Sequence, residues 1–418
     1  MAEQRRAAVP SALPLYLDAC ATAPPAPEVL DVMAAVQREA WANPSSLHGF
    51  GLQAAEALER ARRLAARCLG CDPAALVFTS GGTEAIHTAL LGAAALLPVG
   101  RLLITAVEHP ATLAAAAVLA QRGWRIVEAP VDTAGLLDLE SFEALLAPPT
   151  RLVSVIWGQS EVGTVQPLQA IGSLCRRAGV ILHVDAVQVV GHRPVAFDEL
   201  PVDLLSCAAH KLQGPRGVGA LLVRPGLPFA PLLPGGGQEG GRRGGTEPVA
   251  LVAGFAAALE LAVERLRDRG GEDPLGPLRD SLLRQLLQRP GLRLSGVDPL
   301  GSPGQRLPHH ISLLVSDRHG RPLSGRRLVQ ALWRQGVAIS SGSACSSGVG
   351  AATGGAAPSA VLTAMGYPRE EAASGIRLSL GPWLEPAALG GVAGLLERAM
   401  DDLEAGAVAT AQPDQAAG

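Results

Sequence analysis

The sequence predicts an α/β fold, in which helices cover both faces of a mainly parallel sheet. The first observation is that short, apolar, β-rich segments alternate with longer helical segments between about residues 75 and 225. The second is that polar side chains directly follow several of these strands, as expected where the carboxyl ends of parallel strands form a ligand site. The third is the composition, since 418 residues that are 48% hydrophobic can form a large core.

This alternation defines seven strands and three of the helices between them. The predicted strands are 76–79, 102–106, 125–129, 152–157, 180–185, 204–208 and 218–223. The predicted helices are 83–97, 111–121 and 168–178, and a Gly-rich segment at 235–245 precedes a further helical run at 249–267. We expect a large domain over residues 15–260, a smaller α+β domain over 261–404, and flexible ends at 1–14 and 405–418.

Composition and charge exclude several classes of protein. A net charge of −3 provides no basic surface for nucleic acid, and the longest apolar run, 249–259, is too short to span a membrane. The six cysteines are too scattered for a disulfide framework, and Cys68 and Cys71 form a single CxxC without the second pair of a zinc site. Pro10 and Pro14 interrupt the segment that follows a twin-arginine pair. We therefore expect a soluble, cytoplasmic protein that binds no metal, nucleic acid or membrane.

Lys211 is the only lysine in the chain. The other 34 of the 35 lysine and arginine residues are arginine. Arginine replaces lysine easily on a solvated surface, but not where the chemistry needs an amine that can lose its proton. Lys211 follows the predicted strand 204–208 and precedes a Gly/Pro-rich turn. This position suits a lysine that forms a Schiff base with pyridoxal 5′-phosphate (PLP). The alternative is a surface lysine that was retained by chance.

Other strand ends carry groups that PLP requires. Asp185 ends strand 180–185 and could keep the pyridine nitrogen protonated, or it could cap a helix. His109 follows strand 102–106 and could stack on the ring, or it could be structural. Gly82 and Thr83 open a helix directly after a strand, where backbone N–H groups could bind the phosphate or form an ordinary capped turn.

Two candidate residues lie in the second portion of the chain. Cys345 is surrounded by small polar residues, which is typical of an exposed and reactive thiol. Arg377 alternates with apolar residues on a predicted strand and could hold a substrate carboxylate, or it could be an exposed strand arginine. The glycines of segment 235–240 match a dinucleotide-binding pattern, but no helix follows directly, so we do not predict such a site.

Together these residues resemble those of the cysteine desulfurases of the NifS/IscS type, within the class V, PLP-dependent aminotransferase superfamily. The resemblance covers about residues 15 to 400 and implies the aspartate aminotransferase-like fold (fold type I). The motifs that carry it are Tyr16–Thr22, Asn43–His48, Phe78–Glu84, Val107–His109, Glu161–Gly163, His183–Gln188, His210-Lys211, Arg243–Thr246, Ser341–Cys345 and Ile376–Gly381.

The resemblance implies how PLP would be held. Lys211 would form the Schiff base and move the α-proton of the substrate, while Asp185 would pair with the pyridine nitrogen. His109 would stack on the ring, and Gln188 would hydrogen-bond the ring hydroxyl. The phosphate would be held by Gly82, Thr83 and His210, together with Thr246 from a neighbouring subunit, which implies a homodimer.

The resemblance also implies the substrate and the chemistry. Arg377 would bind the carboxylate of L-cysteine, with Asn43 nearby. Cys345 would attack the substrate sulfur, which would give L-alanine and a persulfide on the enzyme. The persulfide sulfur would then pass to an acceptor or iron–sulfur scaffold protein for iron–sulfur cluster or thio-cofactor assembly.

Two positions depart from the family pattern. Ser160 stands where the family has an asparagine that contacts the ring hydroxyl of PLP, and Ala208 replaces a phosphate-binding serine. A lost hydrogen bond to a charged group costs about 1.5–3 kcal/mol, which would weaken PLP binding without abolishing it. These two positions favour one alternative to a cysteine desulfurase, a degenerate PLP-fold scaffold or regulator with little activity. The other alternative is a selenocysteine lyase.

Overall fold

A seven-stranded sheet forms the centre of the larger part of the computed structural model, which describes residues 14–342 and 358–411, with side chains up to residue 405. Its strands are β2 (Leu76–Thr79), β3 (Arg101–Thr105), β4 (Arg125–Ala129), β5 (Thr150–Ile156), β6 (Ile181–Asp185), β7 (Leu204–Ala208) and β8 (Gly219–Val223). They are ordered β2-β8-β7-β6-β5-β3-β4. All neighbours from β4 to β7 are parallel, and only β8 runs antiparallel to both of its neighbours. The predicted α/β class and all seven strands are confirmed.

Helices cover both faces of this sheet. They are α1 (Pro27–Glu39), α2 (Gly49–Leu69), α3 (Gly82–Ala94), α4 (Pro110–Gln121), α5 (Leu139–Leu145), α6 (Leu168–Ala178) and α7 (Val249–Arg267). Leu102, Leu204 and Leu221 pack with α3 and α4 on one face, whereas Leu103 and Leu205 pack with α1, α2, α6 and α7 on the other. Successive strand residues therefore bury opposite faces, which explains why these strands appear as continuous apolar runs.

A smaller antiparallel sheet organises the second part of the chain. Its strands are β9 (Leu292–Leu294), β10 (His310–Val315), β12 (Ser340–Ser341) and β13 (Gly375–Ser379), ordered β12-β13-β10-β9. The helices of this part are α8 (Leu275–Leu287), α9 (Gly325–Arg334), α10 (Ala360–Ala364), α11 (Arg369–Ala372) and α12 (Val392–Ala411). None of the helices within the described ranges is long and apolar enough to cross a membrane.

The N-terminal segment joins this second part. Strand β1 (Leu15–Tyr16) pairs in parallel with β11 (Val337–Ala338), and Leu17 belongs to the apolar core beneath the smaller sheet. Helix α7 runs across residue 260 without a break. The domain boundaries proposed from the sequence stay a prediction.

Candidate active site

The carboxyl ends of three parallel strands, β3, β6 and β7, bring the central candidate residues together. Asp185 is the last residue of β6 and pairs with Ile156 of β5 and Ser206 of β7. His109 follows β3, and Lys211 follows β7 in a short 3₁₀ helix, Ala209–Lys211. The side chains of His109, Asp185 and Lys211 interact electrostatically. This edge of the sheet is where ligands bind in open α/β folds.

The Lys211 amine lies against the N-terminal segment of the chain. Its Nζ donates hydrogen bonds to the carbonyl oxygens of Cys20 and Ala21, at 2.6 and 2.9 Å. The Gln188 amide Nε2 donates to the same Cys20 carbonyl at 2.9 Å. Two of the predicted PLP-binding residues therefore share one backbone acceptor.

Asp185 is a buried carboxylate, with only 3% of its surface exposed. Burial raises its pKa, while protonation of His109, the backbone N–H of Val187 at 3.0 Å and the charge of Lys211 act in the opposite direction. A carboxylate that has lost its water is stabilised by a cationic partner. The protonated pyridine nitrogen of PLP is such a partner, so this position fits the cofactor.

His109 caps helix α4 with its own ring. Its Nδ1 accepts the backbone N–H of Ala111 at 3.1 Å, so the neutral ring carries its proton on Nε2. Burial lowers the pKa of His109; Asp185 opposes this shift and Lys211 adds to it. The ring is therefore a neutral, flat surface with one N–H directed away from the helix.

The first turn of α3 forms the predicted phosphate site. Gly81 has φ +150°, and none of the described side chains caps this helix by a hydrogen bond, so its first N–H groups can bind an anion. Gly219 of β8 lies so close that a Cβ there would come within 2.9 Å of Gly81 Cα. Ala208 Cβ lies 3.7 Å from where a Cβ on Gly82 would be, and Thr83 is the next residue of the helix. The helix start thus offers backbone donors, but Ala208 adds no hydroxyl.

Arg377 connects the smaller sheet to the edge of the larger one. Its Nη2 donates to Asp18 Oδ1 at 2.7 Å, and its Nη1 donates to the carbonyl oxygen of Ser160 at 3.0 Å. The same carbonyl accepts a hydrogen bond from His310 Nε2 at 3.0 Å. Arg377 is 4% exposed, so the alternative of an exposed strand arginine is wrong.

The remaining predicted residues differ in how closely they approach this centre. His210 shares a hydrogen bond with the Thr22 hydroxyl, 3.2 Å from its Nδ1. Asn43 and Thr246 are exposed, and the Asn43 Oδ1 accepts the N–H of Ser45 at 2.9 Å. Cys345 lies outside the described residues. The described parts of the chain contain no group of three or more His, Cys, Asp or Glu side chains that could hold a metal ion.

Sequence reasoning missed two buried residues directly beneath the site. Glu108 accepts hydrogen bonds from the Thr105 hydroxyl at 2.6 Å and from the N–H of Ile156 at 2.8 Å, and it thereby ties the ends of β3 and β5 together. Burial raises the pKa of Glu108 to about 8, so the group is protonated at neutral pH. His183 lies two residues before Asp185 and is completely buried. For His183 the available signal was a titratable residue inside an apolar strand, whereas Glu108 lies in the turn after β3 and carries no such signal.

Comparisons with known proteins show which family the chain belongs to. Residues 15–385 match the family Aminotransferase class-V. The cysteine desulfurase of Cereibacter sphaeroides is 40% identical over 395 residues, which cover 94% of this chain and 97% of the relative. The cysteine desulfurase IscS of Dictyoglomus turgidum is 38% identical over 391 residues, which cover 93% and 95%.

The fold has a similar solved counterpart. The structure of a NifS-like protein superposes with a TM-score of 0.82 at 32% identity and covers 94% of this chain and 100% of that one. Sequence, fold and site geometry lead to one assignment. The chain belongs to the class V aminotransferase family and, within it, to the PLP-dependent cysteine desulfurases.

Proposed function

We propose that this chain converts L-cysteine to L-alanine and a persulfide on Cys345, with Lys211, Asp185 and His109 at the cofactor and Arg377 at the substrate carboxylate. The observation that carries the proposal is the placement of the only lysine beside a buried carboxylate and a neutral histidine, at the carboxyl edge of the sheet. The activity of the relatives favours this function over a selenocysteine lyase or an inactive scaffold.

The residues present fit PLP at both of its ends. Asp185 would pair with the pyridine nitrogen, Gln188 and Ser160 would serve the ring hydroxyl, and His109 would stack on the ring. The start of α3 at Gly82 and Thr83 suits the phosphate, with His210 beside it. When bound, PLP supplies an electron sink for the carbanion at the substrate Cα.

Lys211 and Arg377 act on the substrate in different ways. Lys211 Nζ, held by the carbonyls of Cys20 and Ala21, removes the proton from the substrate Cα. The guanidinium of Arg377 binds the substrate carboxylate, and Asp18 orients this guanidinium from the N-terminal side. Asn43 assists at the carboxylate. Orientation by a buried ion pair lowers the entropic cost of placing the substrate.

Sulfur transfer requires the thiolate of Cys345. This sulfur forms a bond to the substrate sulfur while the substrate Cβ–S bond breaks, and the electron pair of that bond stays with the carbon. Cβ then takes up one proton and Cα regains the proton it lost, which gives L-alanine, and Cys345 is left as a persulfide. An added thiol reductant releases the outer sulfur as sulfide, in place of the acceptor or iron–sulfur scaffold protein that receives it in the cell.

The surface near Asn43 suggests a homodimer. Four large apolar side chains in this segment are strongly exposed, namely Trp41 (63%), Leu47 (91%), Phe50 (59%) and Leu52 (59%). A cluster of this kind is typical of an interface between chains. Thr246 is exposed as well, so a second subunit could receive it at its phosphate site.

The five described cysteines are thiols, which fits a cytoplasmic location.

The test is an incubation of the purified PLP-loaded protein with L-cysteine and a thiol reductant. We expect equal amounts of L-alanine and sulfide, and neither product with the Lys211→Ala variant. Absence of both products from the wild type would overturn the proposal. Selenide released from selenocysteine at a far higher rate than sulfide from cysteine would instead indicate a selenocysteine lyase.

A further inference from the structure

Glu161 is a partly buried acid that directly follows Ser160, the residue whose carbonyl accepts from Arg377. Its Oε2 accepts a hydrogen bond of 2.6 Å from the hydroxyl of Ser359. Burial raises the pKa of Glu161 to about 7, while the Ser359 hydroxyl and the charge of Arg377 act in the opposite direction. The group therefore lies where the larger sheet, the smaller sheet and Ser359 meet.

The same carboxylate oxygen lies against Gly342. A Cβ on Gly342 would come within 2.8 Å of Glu161 Oε2 and within 3.2 Å of Ser359 Cβ, which is closer than such atoms normally approach. Gly342 and Ser359 therefore meet at one point, and Glu161 contacts both. In the sequence these two residues flank segment 343–357, which contains Cys345.

One flanking residue is attached to the smaller sheet and the other to helix α11. The N–H of Gly342 donates to the carbonyl of Gly375 in β13 at 3.4 Å, and the N–H of Ser359 donates to the carbonyl of Ala372 in α11 at 3.1 Å. Arg377 is linked in turn to the Ser160 carbonyl, one residue before Glu161. Glu161 thus contacts the residues on both sides of segment 343–357, and the residue before it, Ser160, contacts Arg377.

We propose that Glu161 is a positioning residue that fixes Gly342 and Ser359 relative to Arg377 and thereby sets the rate at which Cys345 reaches the substrate sulfur. The inference rests on the proposed function, because it takes Cys345 as the sulfur acceptor and Arg377 as the carboxylate site. In this proposal Glu161 acts through Gly342 and Ser359 and not directly on substrate or cofactor. Its role is to place two reacting groups at a suitable separation, and a misplacement of about 1 Å can cost about 100-fold in rate.

The role predicts a specific kinetic pattern. In Glu161→Ala, the two ends of the segment lose their common contact, while Arg377 keeps its hydrogen bonds to Asp18 and the Ser160 carbonyl. We expect kcat to fall about tenfold and KM to change less than about twofold. Glu161→Gln keeps an oxygen that can accept from Ser359, so we expect it to restore most of the activity.

A second measurement needs neither cofactor nor turnover. In cofactor-free protein, the rate of Cys345 alkylation by iodoacetamide, located by peptide mass spectrometry, reports the access of that thiol. We expect Glu161→Ala to change this rate by about threefold or more, and Glu161→Gln to stay near the wild-type rate. Gly342→Ala should change it as Glu161→Ala does, since its methyl group would displace the carboxylate.

A matched pair of variants separates this role from simple helix capping. Ser359 also accepts the N–H of Leu362 as the N-cap of α10, and Ser324 caps α9 in the same way. Ser359→Ala should slow sulfur transfer and alter the alkylation rate, whereas Ser324→Ala should do neither. Melting temperatures of all variants show whether each is folded.

The outcomes distinguish this inference from the proposed function. Unchanged kcat and unchanged Cys345 alkylation in Glu161→Ala would overturn the inference, as would an effect on KM alone, which would mean that Glu161 acts only on Arg377. If the wild type forms no alanine, the proposed function fails, but the alkylation rates still test whether Glu161 positions the segment.

Discussion

Ala208 and Lys211 show what single residues reveal about this site. The scarcity of lysine made Lys211 conspicuous, and the structure places it beside Asp185 and His109. Ala208, at the end of the preceding strand, lies against Gly82 where the family pattern has a hydroxyl. Lys211 could be recognised because it follows a strand that could be predicted, whereas Ala208, the last residue of that strand, was recognised through the family resemblance. It did not reveal Glu108, whose contacts to Thr105 and Ile156 depend on three-dimensional packing.

At this scale we expect Ala208→Ser to strengthen PLP binding. The added hydroxyl would lie near the start of α3 and could donate to the phosphate, and a hydrogen bond to a charged group contributes about 1.5–3 kcal/mol. Part of this gain is offset by burying the hydroxyl, so we expect about tenfold tighter binding. Titration of cofactor-free protein with PLP measures the change. Weaker or unaltered binding would show that Ala208 does not face the phosphate.

His183 connects three neighbouring strands below Asp185. Its Nδ1 lies 2.8 Å from the Ser154 hydroxyl of β5, and its Nε2 lies 2.8 Å from the Ser206 hydroxyl of β7. Burial lowers the pKa of His183 to about 3. The strands themselves were predictable from their apolar runs, but these bridges depend on the register between strands, which no pattern within one strand contains.

The neutral state of His183 makes stability depend on pH. The folded protein holds this ring unprotonated, whereas the unfolded chain protonates it near pH 6.5. The contribution of this ring to the free energy of unfolding is therefore complete above about pH 6.5 and is lost as the pH falls towards about 3. By pH 5 the loss amounts to about 2 kcal/mol. Urea unfolding at pH 7 and pH 5 measures it.

The control for this prediction is His183→Gln, which has no titrating group at this position. We expect it to be less stable than the wild type at pH 7 but to lose less stability between pH 7 and pH 5. Equal losses in the two proteins would contradict the role given to His183.

The N-terminal segment contacts both the smaller core and the candidate site. Residues 15–17 pair with β11 and pack in the second core, while Asp18 contacts Arg377 and the Cys20 carbonyl contacts Lys211. The sequence motif marked this segment, but a strand of two residues has no periodicity that could predict its partner more than 300 residues away.

The prediction at this scale concerns the proposed dimer. We expect the wild type to sediment as a dimer. The double substitution Trp41→Ser and Phe50→Ser should shift it towards monomer, because it removes two exposed apolar rings whose centroids lie 5.7 Å apart. The variant should also retain less PLP, since Thr246 would no longer reach a neighbouring phosphate. Leu96→Ser, at a separate and 54% exposed position, serves as the control and should stay dimeric. A monomeric wild type would contradict the dimer.

Cys345→Ala, compared with the wild type in a single turnover, tests the central claim most directly. L-cysteine is mixed with excess PLP-loaded protein, without reductant, and both L-alanine and the mass of the peptide that contains residue 345 are measured. We predict one L-alanine per wild-type subunit with one sulfur atom added to Cys345, and no L-alanine from the variant, although L-cysteine still alters the cofactor absorbance in both. L-alanine from the variant at the wild-type rate, or no sulfur on Cys345 in the wild type, would contradict the account.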